Sequence, residues 1–260
     1  MGKSEPKIVL LDIESLPDLK AVMSVMPQLS AYPGLTLKAS INSVICFGYK
    51  VLGESKVRVV NAWDDSKAWA KDVNDDRYVL SRVAEILEDA DCVVTHNGKR
   101  FDWKFLQTRL IKHGMTPLRR IIHIDTCQES KRSLLMFNNR LNTLAKFMTS
   151  EEKLENGGWE LWERVLAREE KAMALMSRYC AQDIVTLEAV FKRLRPFMIS
   201  IPNYNIVRAG KEFVCPRCAS TRIQKRGSYA SRSYRAIKIY CRDCDGWSSA
   251  RCESKEPKAI

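Results

Sequence analysis

Between Glu170 and Leu194 apolar residues recur at helical spacing (Met176, Cys180, Leu187, Val190, Leu194), and Pro196 closes the run. Asp183 lies on the same stripe, between Cys180 and Leu187. A helix patterned in this way must lay the stripe against a core, and burying an unpartnered carboxylate there costs on the order of several kcal/mol. The positions one turn away (Tyr179, Cys180, Thr186 and Leu187) supply no cation. Asp183 must therefore be capped or paired from elsewhere in the chain, be neutralised, or face a metal ion. Tyr179 shares its face, one turn earlier.

Two further segments carry carboxylates in suggestive places. Asp12 and Glu14 close the apolar run IVLL, and residues two apart on a strand point to one face, so both would stand side by side at the end of a buried strand. Like charges that close repel unless a cation lies between them; two solvated carboxylates at a loop entry are the simpler alternative. In HNGKRFDWKFL, His96, Asn97 and Gly98 follow a strand-like run, and Asp102 falls in the first turn of the next helix. An Asn-Gly turn and an early-turn Asp also have purely structural uses.

The remaining pattern sets the architecture. Strands are expected at Lys7 to Ile13, Ser43 to Leu52 and Lys56 to Trp63, with Gly53 turning the last two into a hairpin. A helix over Arg77 to Asp89, a strand over Cys92 to Thr95, a helix over Phe101 to His113 and a short strand over Ile121 to Asp125 follow. Helices are then expected over Ser130 to Met148, Trp159 to Arg168 and Glu170 to Leu194. This order implies an α/β fold, a mixed sheet with flanking helices. Periodicity stops around Ile201 to Gly210, giving a domain of residues 1–200, a linker at 201–210 and a separate module at 211–260.

Together the three acidic segments, DIE, HNGxxFD and YxxxD, resemble the three exonuclease motifs of the DEDD superfamily, and Tyr179 places the match in its tyrosine branch. That branch looks like the proofreading domains of DNA polymerases and the stand-alone exonucleases of phages and bacteria. The resemblance implies an RNase H-like fold and a two-metal phosphodiesterase. Asp12, Glu14 and Asp183 would hold the ion that activates water, while Asp12 and, directly or through water, Asp102 would hold the ion at the leaving 3′ oxygen. Tyr179 would orient the attacking water. Leu16 would pack against the terminal base, and Asn97 and Phe101 would shape the 3′-end pocket; for Leu16 and Phe101 an ordinary core role is the alternative. Two divalent ions stabilise the attacking and leaving oxygens of a phosphodiester, and carboxylate oxygens suit two Mg²⁺, with Mn²⁺ able to substitute. His96 is not expected to ligate metal, and Asp125 is given no role.

The C-terminal module is read from its cysteines. Cys215 and Cys218 pair with Cys241 and Cys244 across 22 intervening residues, somewhat more than the usual window of about 15 to 20 for a zinc ribbon, and a β-hairpin at 226–233 would absorb the excess. Four thiolates make a closed structural Zn²⁺ site, with a redox pair of CxxC motifs as the alternative. Cys46 and Cys92 sit in strand-like runs as reduced core thiols, and Cys252 falls outside the pattern as a free thiol. Between the knuckles basic residues interleave with Tyr229, Tyr234 and Tyr240, a composition suited to phosphates and stacked bases; tyrosines filling a small core are the alternative.

Charge points the same way. The chain of 260 residues carries 43 Lys and Arg against 31 Asp and Glu, a net of +12, and residues 205–260 hold 13 of the basic and 5 of the acidic residues. With 45% hydrophobic and 28% charged residues it is expected to be globular and soluble, not disordered, a disulfide miniprotein or a membrane protein. No apolar run reaches the roughly 18 residues of a spanning helix, and the start is too soon charged for a secretory leader, so a bacterial or phage-infected cytoplasm is expected. The activity implied is a 3′-to-5′ exonuclease of DNA replication or repair acting on single-stranded DNA ends and releasing nucleoside 5′-monophosphates, with any polymerase or other replication protein engaged in trans. A 3′ RNA exonuclease and a nucleic-acid-binding accessory subunit with an inactive nuclease fold are the alternatives.

Overall fold

The computed structural model describes residues 6–16, 43–149, 158–207 and 213–251. Five strands, β1 (Ile8–Ser15), β2 (Val44–Val51), β3 (Arg58–Asn61), β4 (Cys92–Thr95) and β5 (Ile122–Asp125), form one sheet in the order β3-β2-β1-β4-β5. β1, β2 and β3 pair antiparallel, whereas β1–β4 and β4–β5 are parallel, which gives the mixed sheet the sequence implies. The flanking helices are α1 (Ser66–Lys71), α2 (Arg77–Glu88), α3 (Asp102–Lys112), α4 (Thr126–Ser133), α5 (Leu141–Met148), α6 (Trp159–Leu166) and α7 (Glu170–Leu194). Among the described residues no helix is long and apolar enough to cross a membrane.

Alternation along β1 divides the core. Val9, Leu11 and Ile13 join Val79, Leu80, Val83 and Leu87 of α2 and Leu106 and Leu110 of α3. Ile8 and Leu10 join Ile184, Leu187, Phe191 and Leu194 of α7 on the other face. On that face α7 lies directly along β2. Lys50 Nζ meets Glu188 Oε2 at 2.6 Å, the Cys46 and Cys180 thiols are hydrogen-bonded, and a Cβ placed on Gly48 would fall 2.7 Å from Ile184 Cγ1 and 2.9 Å from the Cys180 carbonyl oxygen. Residues 180, 184 and 188, one helical row, thus follow residues 46, 48 and 50, one face of the strand. Gly48 pairs in register with Asp12, so the point of closest approach is beside the carboxylates.

One expected helix is two. Over 130–148 the chain forms α4, an extended stretch at 134–140, and α5. The first helix starts early because the Asp125 carboxylate caps it, accepting from the Cys127 and Gln128 N–H groups. It then stops where alternate residues take opposite sides: Leu134 and Met136 pack inward while Leu135 and Phe137 stand in solvent. That is a period of two, which a helix cannot satisfy.

The C-terminal strands β6 (Ile223–Ala230), β7 (Arg235–Cys241) and β8 (Trp247–Arg251) form a three-stranded antiparallel sheet. The stretch expected as a linker contains a one-turn helix, α8 (Tyr204–Val207), and residues 208–210 lie outside the described residues, as does Cys252. Tyr204 is buried, donates its backbone N–H to the Pro216 carbonyl at 2.9 Å, and lies against the Arg195 guanidinium, which also covers Phe191. Arg195 Nε donates to the Arg217 carbonyl at 2.7 Å, and Arg217 Nη1 to the Met198 carbonyl at 2.6 Å. The first cysteine knuckle is therefore bound to the C-terminal end of α7.

A side chain at position 48 has no room before it meets helix backbone. Gly48→Val is expected to destabilise the fold by roughly 1–3 kcal/mol through overpacking, read from denaturant unfolding; unchanged stability would mean that α7 can lift from the sheet without penalty.

Candidate active site

Asp12 and Glu14 leave β1 on the face turned to α7, and Asp183 meets them from the helix: ligand oxygens of the three carboxylates lie within 4.8 Å of one another. Asp12 is partly exposed and Asp183 is 3% exposed. Tyr179, one turn before Asp183, lines the same open cleft of about 630 Å³. Three carboxylates this close repel one another, and they could hold a hard divalent ion, which prefers oxygen ligands of this kind and would offset the repulsion. Trp162 of α6 fixes the cleft wall by donating Nε1–H to the Ser15 carbonyl at 3.2 Å.

The HNG segment forms the opposite wall. Asn97 has φ 65°, the left-handed region in which Asn is among the few tolerated side chains. A Cβ on Gly98 would fall 2.3 Å from Thr95 Oγ1 and 2.6 Å from Asp102 Oδ2, so only glycine allows the loop to close over Asp102. The loop is clamped by Asp125, buried at 1% exposure, which accepts from the Asn97 N–H at 2.9 Å and the Lys99 N–H at 3.1 Å as well as capping α4. Asp125 is the positioning residue the sequence reading set aside. Its signal was an Asp between the end of a strand and the start of a helix, the N-cap position. Both ring nitrogens of His96 are engaged, Nδ1 with Thr126 Oγ1 at 2.8 Å and Nε2 with the Asn139 carbonyl at 2.9 Å.

The other expected site residues divide. Asp102 is 5% exposed at the start of α3, and its oxygens are not among those grouped within 4.8 Å. Burial, reinforced by the charge of Asp125, raises its pKa to about 7. Asn97 lines the cleft. Phe101 is 48% exposed and stacks on Phe105 at 5.6 Å, leaving a ring face available. Leu16 is instead a core residue, 1% exposed with its N–H bonded to the Ser43 carbonyl, and presents no surface for a base to cover. Cations that the motifs do not mention, Arg100, Lys131 and Arg140, line the same cleft.

With this geometry in place, the sequence comparison is decisive. Residues 34–195, well over half of the chain, match the model of the RNase H superfamily. The chain belongs to the RNase H superfamily. This RNase H-superfamily chain is also 30% identical over 106 residues to the DNA polymerase III PolC-type of Ureaplasma parvum serovar 3 (strain ATCC 700970), a match covering 41% of the chain and 7% of that protein. Among solved structures it is similar to the family B DNA polymerase of the hyperthermophilic archaeon Pyrobaculum calidifontis, with a TM-score of 0.50, 14% identity, and coverage of 90% of the chain and 32% of the polymerase. At that identity the likeness is one of fold.

The four cysteines form the second cluster. Their sulfurs all lie within 4.8 Å of one another, with Cys215 to Cys244 at 3.8 Å and Cys218 to Cys241 at 3.5 Å. A tetrahedral ion bonded at about 2.3 Å sets its sulfurs about 3.8 Å apart, so the arrangement fits a zinc ribbon. Hydrogen bonds from the Cys218 and Cys244 thiols lower the Cys215 pKa to about 4. Of the three ribbon tyrosines, Tyr229 is exposed, Tyr234 lies under the Arg251 guanidinium at 4.3 Å, and Tyr240 bonds Asp245 and packs on Trp247.

Asp102 makes a pH-dependent contribution with a definite sign. In the folded chain it keeps its proton up to about pH 7, whereas an unfolded Asp loses it near pH 4. The folded state binds more protons between those values, so this contribution is fully present below about pH 4 and is lost as pH rises through 7. In EDTA, Asp102→Asn is expected to flatten the fall in stability across that window, measured by unfolding at a series of pH values; identical slopes in the two proteins would mean that the carboxyl is solvated.

Proposed function

We propose that this chain is a metal-dependent 3′-to-5′ exonuclease that hydrolyses DNA phosphodiesters to nucleoside 5′-monophosphates. The observation that carries the reading is the convergence of Asp12, Glu14 and Asp183 within 4.8 Å, with Tyr179 beside them in the open cleft. Asp12, Glu14 and Asp183 would hold one Mg²⁺, and Asp12 with Asp102, reached through water, would hold a second. When bound, the two ions supply charge stabilisation at the attacking and leaving oxygens. Tyr179 orients the attacking water by hydrogen bonding, since a phenol is a poor base near neutrality. Arg100, Lys131 and Arg140 face the phosphate backbone, and Asn97 and Phe101 border the position of the terminal nucleotide. In the ribbon, a structural Zn²⁺ held by Cys215, Cys218, Cys241 and Cys244 supports the basic hairpin, which adds affinity for the strand through its cations and Tyr229. The similarity to polymerases supports a place beside a DNA polymerase or another replication or repair protein, supplied in trans, in the cytoplasm.

With 5′-labelled oligonucleotides of DNA and RNA, Mg²⁺ or Mn²⁺ is expected to give a ladder shortening from the 3′ end on single-stranded DNA, and EDTA to abolish it. Faster cutting of RNA would reassign the substrate, and cleavage of a circular single strand would contradict an end-directed enzyme. Asp12→Ala and Asp183→Ala should each lower turnover by at least about three orders of magnitude, since a bound ion contributes several kcal/mol of transition-state stabilisation. Tyr179→Phe should be milder. Metal analysis should find one Zn²⁺ per chain and almost none in Cys241→Ser; a Cys241→Ser protein that retained full zinc would remove that residue from the ligand set.

A further inference from the structure

The extended segment between α4 and α5 carries two large apolar side chains that stand fully exposed among the described residues: Leu135 is 103% exposed and Phe137 101% exposed. Isolated exposed apolar residues are ordinary on protein surfaces, but these two differ in what surrounds them. Their neighbours are held firmly. Met136 between them packs against Leu144, Ala145 and Val190. Asn139, two residues beyond Phe137, accepts from Ser130 Oγ at 2.7 Å through its side chain and pairs with His96 Nε2 at 2.9 Å through its carbonyl. The two outward side chains are thus displayed from a segment fastened to the cleft wall. Chain on either side of the two side chains lines the cleft: Lys131 of α4, and Asn139 and Arg140 at the end of the segment, together with Asp12, Glu14 and Asp183.

Resting on the nuclease reading, we propose that this segment is a stacking contact for the bound strand, with Phe137 and Leu135 covering the faces of bases outside the carboxylate site while Lys131 and Arg140 engage the intervening phosphates. The chemistry favours a nucleic-acid strand over a protein partner. Two side chains, neighbours on one face of an extended segment, offer far less than the several hundred Å² of contiguous apolar surface that protein interfaces use. An aromatic ring flanked by cations is the arrangement with which single strands are held without regard to sequence. Lys131 and Arg140 line the cleft with Asp12 and Asp183, whereas Phe137 and Leu135 do not, so on this reading the ring meets the strand away from the reacting atoms.

Both residues are fully exposed, so Leu135→Ser/Phe137→Ala should leave the melting temperature unchanged. Binding of a 5′-fluorescein single-stranded oligonucleotide, measured by anisotropy in EDTA, should weaken by about 5- to 150-fold, the range of one stacked base. In a set of oligonucleotides with 2-aminopurine placed successively at each of the last eight positions, the wild-type protein should alter emission at one or two interior positions, and the variant should abolish that change. Hydrolysis of thymidine 5′-monophosphate p-nitrophenyl ester, too short to reach the segment, should be unaltered. Equal affinity and the same 2-aminopurine profile in both proteins would overturn the inference, as would a wild-type protein that binds no oligonucleotide. A wild-type protein that stacks on the strand but cuts nothing would instead overturn the nuclease reading and leave the contact standing.

Discussion

The contact on which the rest of this structure depends is the meeting of α7 with β2 at Gly48. A helix normally rests on a sheet across a layer of side chains. Here the missing Cβ lets Ile184 and the Cys180 carbonyl descend almost onto the strand. Asp12 is the register partner of Gly48, so the approach that removes this layer also brings Asp183 and Tyr179 to the carboxylates of β1. The Lys50–Glu188 ion pair at 2.6 Å, one row further along, keeps the helix from rotating off this line. A site of three mutually repelling carboxylates is held together by packing that is independent of them.

The same helix couples the two ends of the chain. Its middle carries the acidic site, and just past its C-terminal end Arg195 lies between Phe191, Tyr204 and the backbone of the first cysteine knuckle. Asn205 adds a pair of side-chain bonds to the Val214 backbone. The ribbon is thereby fixed with respect to α7, and a strand held by its hairpin would be presented to the cleft in a set direction. On the other side of the site, Asp125 and His96 join the HNG loop to α4 and to the segment at 134–140 that directly follows it, so two stretches distant in sequence form one wall.

Much of this was legible in the residues. Alternation in IVLLDIE placed two carboxylates on one strand face, the helical stripe around Asp183 required a partner for it, and the paired CxxC motifs described the second cluster; in each case spacing alone fixes which side chains share a face. What stayed hidden depended on contacts between segments. Gly48, in the middle of an otherwise β-branched and aromatic run, was a sign of close backbone approach that the sequence reading passed over. Asp125 is given no role by its local sequence because its four backbone donors come from two places, the HNG loop and the first turn of α4. For Leu16 the resemblance implies a substrate contact with an ordinary core role as the alternative, and the core role is the one observed, just past a register shift between Glu14 and Ser15 that no local pattern announces. The division of 130–148 was hidden because Leu134 to Phe137 are apolar without interruption, and only the structure separates the inward Leu134 and Met136 from the outward Leu135 and Phe137.

The most direct measurement of the central claim is the anomalous scattering of crystals soaked in Mn²⁺. If α7 and β1 build a hydrolytic site, two peaks should appear about 3.5 to 4 Å apart, one of them bounded by Asp12, Glu14 and Asp183. Strong manganese peaks elsewhere, with none between these three carboxylates, would contradict it.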